Sequence, residues 1–266
     1  MIRLIASDLD GTLLNRRKEL PEELPQLIDA LEAKGILFVP ASGRSLASLY
    51  KKFGPVSRKL GFICQNGNQV VYRDHSVYLA RIPVTELTML LNECRRAGDL
   101  KVVLCGESHA FYSDRTKDFE DQVYQFFVNC VYVDDLFEAL DAEPVMKIAC
   151  VDRKGVQEHG IPALSHLAEK YALLDSGDDW LDISLPDENK EKGLEKLLEF
   201  LDIPKEDCMV FGDFPNDLSM IRAIPCSYAM INGHEDVKRA ASHVTKYSNE
   251  ENGVVRTISE VLNIRL

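Results

Sequence analysis

The sequence predicts an α/β fold, a parallel sheet flanked by helices, interrupted by an inserted α+β domain. Three observations carry this reading. Short apolar runs near both ends of the chain stop at polar turns, the pattern of buried strands in a parallel sheet. Stretches with helical spacing lie between them. From about residue 83 to 183 the pattern shifts to alternating strands and a hairpin signal around Gly106-Glu107-Ser108.

In order, Ile2 to Ala6 reads as a buried strand running into Asp8-Leu9-Asp10-Gly11-Thr12. Leu24, Leu27, Ile28 and Leu31 predict a helix over Pro21 to Lys34, stopped by Gly35. Ile36 to Val39 and Phe62 to Cys64 read as further strands, ending at Ala41-Ser42-Gly43-Arg44 and Asn66-Gly67-Asn68. Within the insert, Pro83 to Ala97 and Ile161 to Tyr171 read as helices; Lys101 to Cys105, Ala110 to Ser113, Val145 to Val151 and Trp180 to Leu185 read as strands. The first pattern then returns. A helix over Lys192 to Phe200 precedes a strand at Met209 to Phe211 that ends at Gly212-Asp213. Ser227 to Met230 reads as a strand and Val254 to Leu262 as a last helix. The domains are therefore drawn as a core of 1–82 and 184–266 around an insert of 83–183.

The 266 residues suit one large or two modest domains at about 150 residues each. At 45% hydrophobic and 28% charged, the chain has the composition of a globular protein. Its net charge of −12 argues against nucleic acid and anionic membranes as partners. No apolar run approaches the roughly 20 residues that cross a bilayer, and charge appears too early for a signal peptide. Seven scattered cysteines without a C-x-x-C pair read as reduced core thiols, so a cytoplasmic location is expected. G-x-S-x-G, P-loop and G-x-G-x-x-G motifs are absent, and the six histidines have no metal-binding spacing. The acidic stretch 175–179 reads as a solvated loop rather than a second metal site, and His109 and Tyr112 of the inserted hairpin are secondary candidates to face a substrate.

In an open α/β sheet ligands bind beyond the carboxyl ends of the strands. Four polar clusters fall there: Asp8-x-Asp10, Ser42-Gly43-Arg44, Asn66-Gly67-Asn68, and Gly212-Asp213 with Asn216-Asp217. Any one of them is an ordinary turn; four on one sheet edge are not. Asp8 and Asp10 repel, and a cation would hold both ionised. Oxygen ligands without His or Cys suit Mg²⁺, which in turn suits a phosphate substrate. Ser42 and the Gly43 amide are placed to receive phosphate oxygens, and Lys192 adds a positive charge. Lys190 and Lys196 read as flanking surface lysines.

With these residues in view, the sequence resembles the haloacid dehalogenase superfamily. Asp8-Leu9-Asp10-Gly11-Thr12-Leu13-Leu14 is similar to its first motif, Ala41-Ser42-Gly43-Arg44 to the second, Lys192-Gly193 to the third, and Gly212 to Met220 to the fourth. Asn66-Gly67, Ala229 to Asn232 and Asn252 to Val254 resemble the Cof-type branch. An insert between the second and third motifs resembles the type-2 subclass B cap; residues 11–41 leave no room for a type-1 cap between the first and second.

The resemblance implies a Rossmann-like core and a Mg²⁺-dependent phosphatase acting on a small phosphorylated metabolite, a sugar phosphate or phosphorylated cofactor. Asp8 is the implied nucleophile, forming an aspartyl-phosphate, and Asp10 the implied acid and base. Asp8, Asp10 through its backbone carbonyl, and Asp213 would hold the metal, with Asp217 in support. Leu9 through its N–H, Ser42, Gly43, Lys192 and Asn216 would hold phosphoryl oxygens. A monomer or homodimer is expected. A phosphomutase or phosphotransferase on the same site, or a non-catalytic ligand-binding relative, are the alternatives. Two positions depart from the family pattern. Ser7 replaces a frequent Phe, and Phe214-Pro215 occupy positions usually small or polar, where Phe214 would crowd the pocket or pack under it.

Overall fold

A computed structural model describes residues 1–177 and 179–266. Asp178, within the acidic stretch 175–179, lies outside the described residues. The chain divides into two compact units, 1–78 with 189–266, and 79–188. The sequence reading had drawn these breaks at 82/83 and 183/184.

The chain begins with β1 (Leu4–Ser7), α1 (Leu24–Ala33), β2 (Leu37–Pro40), α2 (Leu46–Phe53), β3 (Gly61–Cys64), β4 (Gln69–Tyr72) and β5 (His75–Leu79). The inserted unit follows as α3 (Val84–Ala97), β6 (Leu100–Gly106), β7 (Ala110–Tyr112), α4 (Lys117–Phe126), β8 (Cys130–Tyr132), β9 (Val145–Asp152), a short α5 (Ile161–Leu164), β10 (Ala172–Asp175) and β11 (Trp180–Ser184). The chain returns through α6 (Lys190–Leu201), β12 (Cys208–Gly212), α7 (Leu218–Ala223), β13 (Cys226–Ala229), α8 (Glu235–Ala240), β14 (His243–Val244) and α9 (Gly253–Leu262).

The first unit is built on a five-stranded sheet in the order β14-β13-β12-β1-β2, parallel throughout. Its strands are apolar on both faces because both are covered. Ile5, Phe38, Met209 and Phe211 pack with Leu27, Leu31 and Ile258 of α1 and α9. Leu4, Ala6, Val39 and Val210 alternate to the other face, against Leu194 and Leu197 of α6 and Ile221 of α7. β1 lies between β12 and β2, with Ser7 level with Phe211 on one side and Pro40 on the other. The residues that follow these strand ends therefore meet at one place on the carboxyl edge.

Several elements differ from the sequence reading. β3 was expected as a strand of the parallel sheet; it pairs antiparallel with β4 instead, in a separate three-stranded sheet β3-β4-β5. A single parallel bridge, Ala41 to Ile63, links it to the end of β2. The predicted helix over 161–171 is broken into short turns of different pitch. The inserted unit carries a six-stranded sheet, β10-β11-β9-β6-β7-β8. α3 and α5 cover one face through Leu87, Leu90 and Leu164. α4, which the sequence reading did not identify, covers the other through Phe119 and Val123. Tyr112 is buried in this second layer, and His109 pairs with Glu143 at 3.2 Å.

The turn after β3 fixes where α6 begins. Gly67 has φ of +100°, and a Cβ there would sit 1.9 Å from the Asn189 carbonyl oxygen. Asn189 caps α6, its side chain accepting from the Lys192 N–H at 3.0 Å. Gly67→Ala is therefore expected to destabilise the protein by about 3 kcal/mol or more, as left-handed strain and a backbone clash combine. Gly35→Ala, at φ +70° with nothing within 4 Å, is expected to cost about 1 kcal/mol. Urea unfolding of both variants checks the difference; equal costs would mean that the contact with Asn189 is not tight.

Candidate active site

The carboxyl edge of the sheet brings Asp8, Asp213 and Ser42 together through register alone. The Asp8 N–H donates to the Phe211 carbonyl at 3.0 Å, and the Ala41 N–H to the Ser7 carbonyl at 2.8 Å. Asp8 is buried, as is Ser42. The Ser42 N–H donates to Ile63 at 2.8 Å and its carbonyl accepts from Asn66 at 2.9 Å. Asn66 stands at φ +56°, and its amide also receives the Asn216 Nδ2 at 3.4 Å. The second and fourth motifs thus touch through Asn66, beside Gly43. Leu9 turns its side chain into the core, and its carbonyl accepts from Thr12 and Leu14. Gly11, at φ +91°, lets the turn press against the Asp213 carboxylate, which a Cβ there would meet at 2.2 Å.

The lysine at the centre is Lys190, not Lys192. Its Nζ donates to Asp8 Oδ1 at 2.5 Å and to Asp217 Oδ1 at 2.6 Å, and it is 1% exposed. The Lys192 ammonium lies 5.8 Å over the Tyr78 ring instead. The reason is helical phase. Lys190, Gly193, Leu194, Leu197 and Leu198 form the buried stripe of α6, at spacing i, i+3, i+4, i+7, i+8. Lys192 falls off that stripe, in phase with Glu195, Lys196 and Glu199. The apolar periodicity that predicted the helix already contained this signal one turn upstream of the leucines.

Asp217 holds the fourth motif in shape as well as facing Lys190. Its Oδ2 accepts from the Asp213 and Phe214 N–H groups at 3.0 and 3.2 Å. Asp213 accepts from the Thr12 hydroxyl at 2.7 Å. The Phe214 ring neither fills the site nor packs beneath it: it is 60% exposed, edge-on to His234 at 6.3 Å.

Asp10 is set apart from the other carboxylates. Its Oδ1 accepts from Lys18 at 2.7 Å and Arg44 Nη2 at 2.8 Å, and its Oδ2 from Arg44 Nε at 3.0 Å. Its carboxylate is thus committed to these cations rather than to Asp213. Arg44 had no assigned role in the sequence, and Lys18 carried no motif signal.

The charges divide accordingly. Burial raises the pKa of Asp8, as do Asp217 and Asp213, against the pull of Lys190. Burial opposes the charge on Lys190 too, but Asp217 and Asp8 outweigh it and its pKa is raised. Burial also raises Asp213. Asp10 goes the other way: burial would raise it, but Arg44 and Lys18 bring it down to about 2.

Asp8, Asp213 and Asp217 each offer an oxygen within 4.8 Å of the others. Three carboxylates around one ammonium leave negative charge in excess, and every donor is a hard oxygen. The residues present fit a divalent cation of the Mg²⁺ type.

Two substitutions separate the lysines. Lys190→Met is expected to cut turnover by about a hundredfold or more and to cost about 3–5 kcal/mol of stability, because two buried carboxylates lose their shared partner. Lys192→Met is expected to keep turnover within about threefold of the parent. Steady-state rates at a temperature where both variants are folded provide the check; a larger loss in Lys192→Met would reverse the assignment.

Residues 5–258 match the family model of haloacid dehalogenase-like hydrolases. The chain is 26% identical to the 5-amino-6-(5-phospho-D-ribitylamino)uracil phosphatase YbjI of Escherichia coli, covering 98% of this chain and 96% of that protein. It is 28% identical to the Bacillus subtilis phosphatase YitU, named for the same substrate, covering 98% of each. A crystal structure of a protein from Eubacterium rectale superposes with a TM-score of 0.90 at 26% identity, over 98% of this chain and 99% of that one. The motif order, the parallel core and the full-length match agree: the chain belongs to the haloacid dehalogenase-like hydrolases, with its inserted domain between the second and third motifs.

Proposed function

We propose that the protein is a Mg²⁺-dependent phosphatase of small phosphorylated metabolites that works through an aspartyl-phosphate on Asp8. The setting of Asp8 carries the reading. It is a buried carboxylate at the end of β1, an interior strand, touching Lys190 at 2.5 Å and grouped with Asp213 and Asp217. A carboxylate so placed, its charge offset in part by Lys190, suits attack on phosphorus once a cation takes up the remainder.

In this reading an Asp8 oxygen attacks phosphorus and the bond to the leaving oxygen breaks, with Asp10 supplying the proton. Water then attacks the aspartyl-phosphate, Asp10 takes its proton, and inorganic phosphate leaves. Arg44 and Lys18 hold Asp10 ionised, the form that the second step needs. Proton donation in the first step requires one of those cations to release it, so that the Asp10 carboxyl takes up a proton from water before Asp8 attacks. Ser42, the Leu9 and Gly43 amides, Lys190 and Asn216 receive phosphoryl oxygens, and Lys190 replaces Lys192 in that set. Asp8, the Asp10 carbonyl and Asp213 would hold Mg²⁺, with Asp217 in support; the ion would neutralise charge on nucleophile and phosphate. The two relatives named for a phosphoribitylamino-uracil support testing phosphorylated ribityl compounds beside sugar phosphates.

Phosphate release from such a panel is expected with Mg²⁺ and expected to stop with a chelator. Asp8→Asn is expected to lower the rate by about a thousandfold or more while the protein remains folded. Normal turnover in that variant would remove the nucleophile assignment. Asp10→Asn is expected to slow both chemical steps by about a hundredfold; a change in metal affinity alone would take away its proton role. Transfer to a sugar hydroxyl without phosphate release would turn the reading to a phosphotransferase.

A further inference from the structure

We propose that the inserted unit carries a second ligand site, for a small metabolite with an oxyanion on an apolar body. An open groove of about 560 Å³ runs across β6 between α3 and the loop from β7 to α4. That volume lies in the range of small-molecule sites. Every lining residue belongs to the inserted unit, so the groove shares none of the residues around Asp8.

The groove has an apolar side and a charged side. Leu91 and Leu136 are buried at its base, and Leu100 and Val102 of β6 are only partly covered beside them. Lys101, between those two in the strand, turns to the opposite face and pairs with Asp114 at 3.1 Å. The strand edge is also open. β7 reaches β6 only as far as Tyr112 opposite Val103, so Leu100 to Val102 have a strand partner on the β9 side alone. Among the described residues, no strand runs along their other edge, where a ligand can meet backbone groups.

Arg95, Lys101 and Arg115 face a single lining carboxylate, Asp114. Asp135 takes up Arg95 at 2.7 Å from outside the lining and Asp114 takes up Lys101, which leaves one lining cation with no carboxylate at ion-pair distance among the described residues. That charge is Arg115. Its guanidinium stacks 3.8 Å over the Tyr132 ring and forms no ion pair among the described residues. Stacking fixes the plane of the guanidinium and leaves its N–H edge available, the arrangement that takes an oxyanion bidentately.

The test uses the full-length protein and two non-hydrolysable probes, 4-bromophenylphosphonate and 4-bromobenzoate. Calorimetric titration is run on the parent, on Arg115→Ala and on Arg222→Ala as a distant control, with thermal unfolding confirming that each variant is folded. Crystals grown with each probe locate the bromine by its anomalous signal. Bromine in the groove, with binding weakened about tenfold or more in Arg115→Ala and unchanged in Arg222→Ala, supports the site. Binding of the phosphonate alone identifies the ligand as a phosphate ester, and of the benzoate alone as a carboxylate. Bromine only beside Asp8, or parental affinity for both probes in Arg115→Ala, would overturn it.

Discussion

The ammonium of Lys190 is the contact on which the site depends. It is enclosed between Asp8 and Asp217 with almost no exposure to water. Taking one ion out of water costs several kcal/mol, which only opposite charge at close range offsets. Remove it and Asp8, already raised by burial, loses the neighbour that favours its ionised form. The helix cap at Asn189, the turn at Gly67 and the leucine stripe of α6 all serve to bring that nitrogen to this spot.

The two carboxylates of the first motif differ by environment rather than by chemistry. Asp8 lies inside the acidic cluster and depends on Lys190. Asp10 faces two cations, Arg44 and Lys18, and is held ionised. Residues of one type, two positions apart, are thereby given opposite proton affinities, which is how a site assigns separate tasks to like groups. The division depends on a turn tight enough to send the side chains different ways, and Gly11 supplies its sharpest bend.

Much of this was legible in the sequence. β1 and β12 are continuous apolar runs that end in carboxylates, and register then compels Asp8 and Asp213 to meet. Lys190 was misread because charge was weighed without helical phase; its position on the stripe outranks the usual exposure of lysine. β3 was placed in the wrong sheet because an apolar run has no direction, and its partner β4 begins only after a tight turn. α4 escaped notice since only Phe119 and Val123 are buried, while Tyr124 and Phe126 stand exposed among its charged residues. Lys18 sits in a loop, where spacing has no period to read.

The turn that follows Asp8 is tied down by residues far along the chain. Asn232 donates to the Gly11 carbonyl across 221 residues, and Asn249 to the Leu14 carbonyl across 235. Thr12 reaches Asp213 across 201, and Lys190 reaches Asp8 across 182. During synthesis Asp10 finds Lys18 and Arg44 only 8 and 34 residues on, whereas Asp8 waits 182 residues for Lys190. Until then β1 lacks its neighbour β12, and the whole inserted unit has already emerged. Contacts closed over such distances form slowly. A nascent chain therefore carries Asp8 through that whole stretch without the cation that pairs with it.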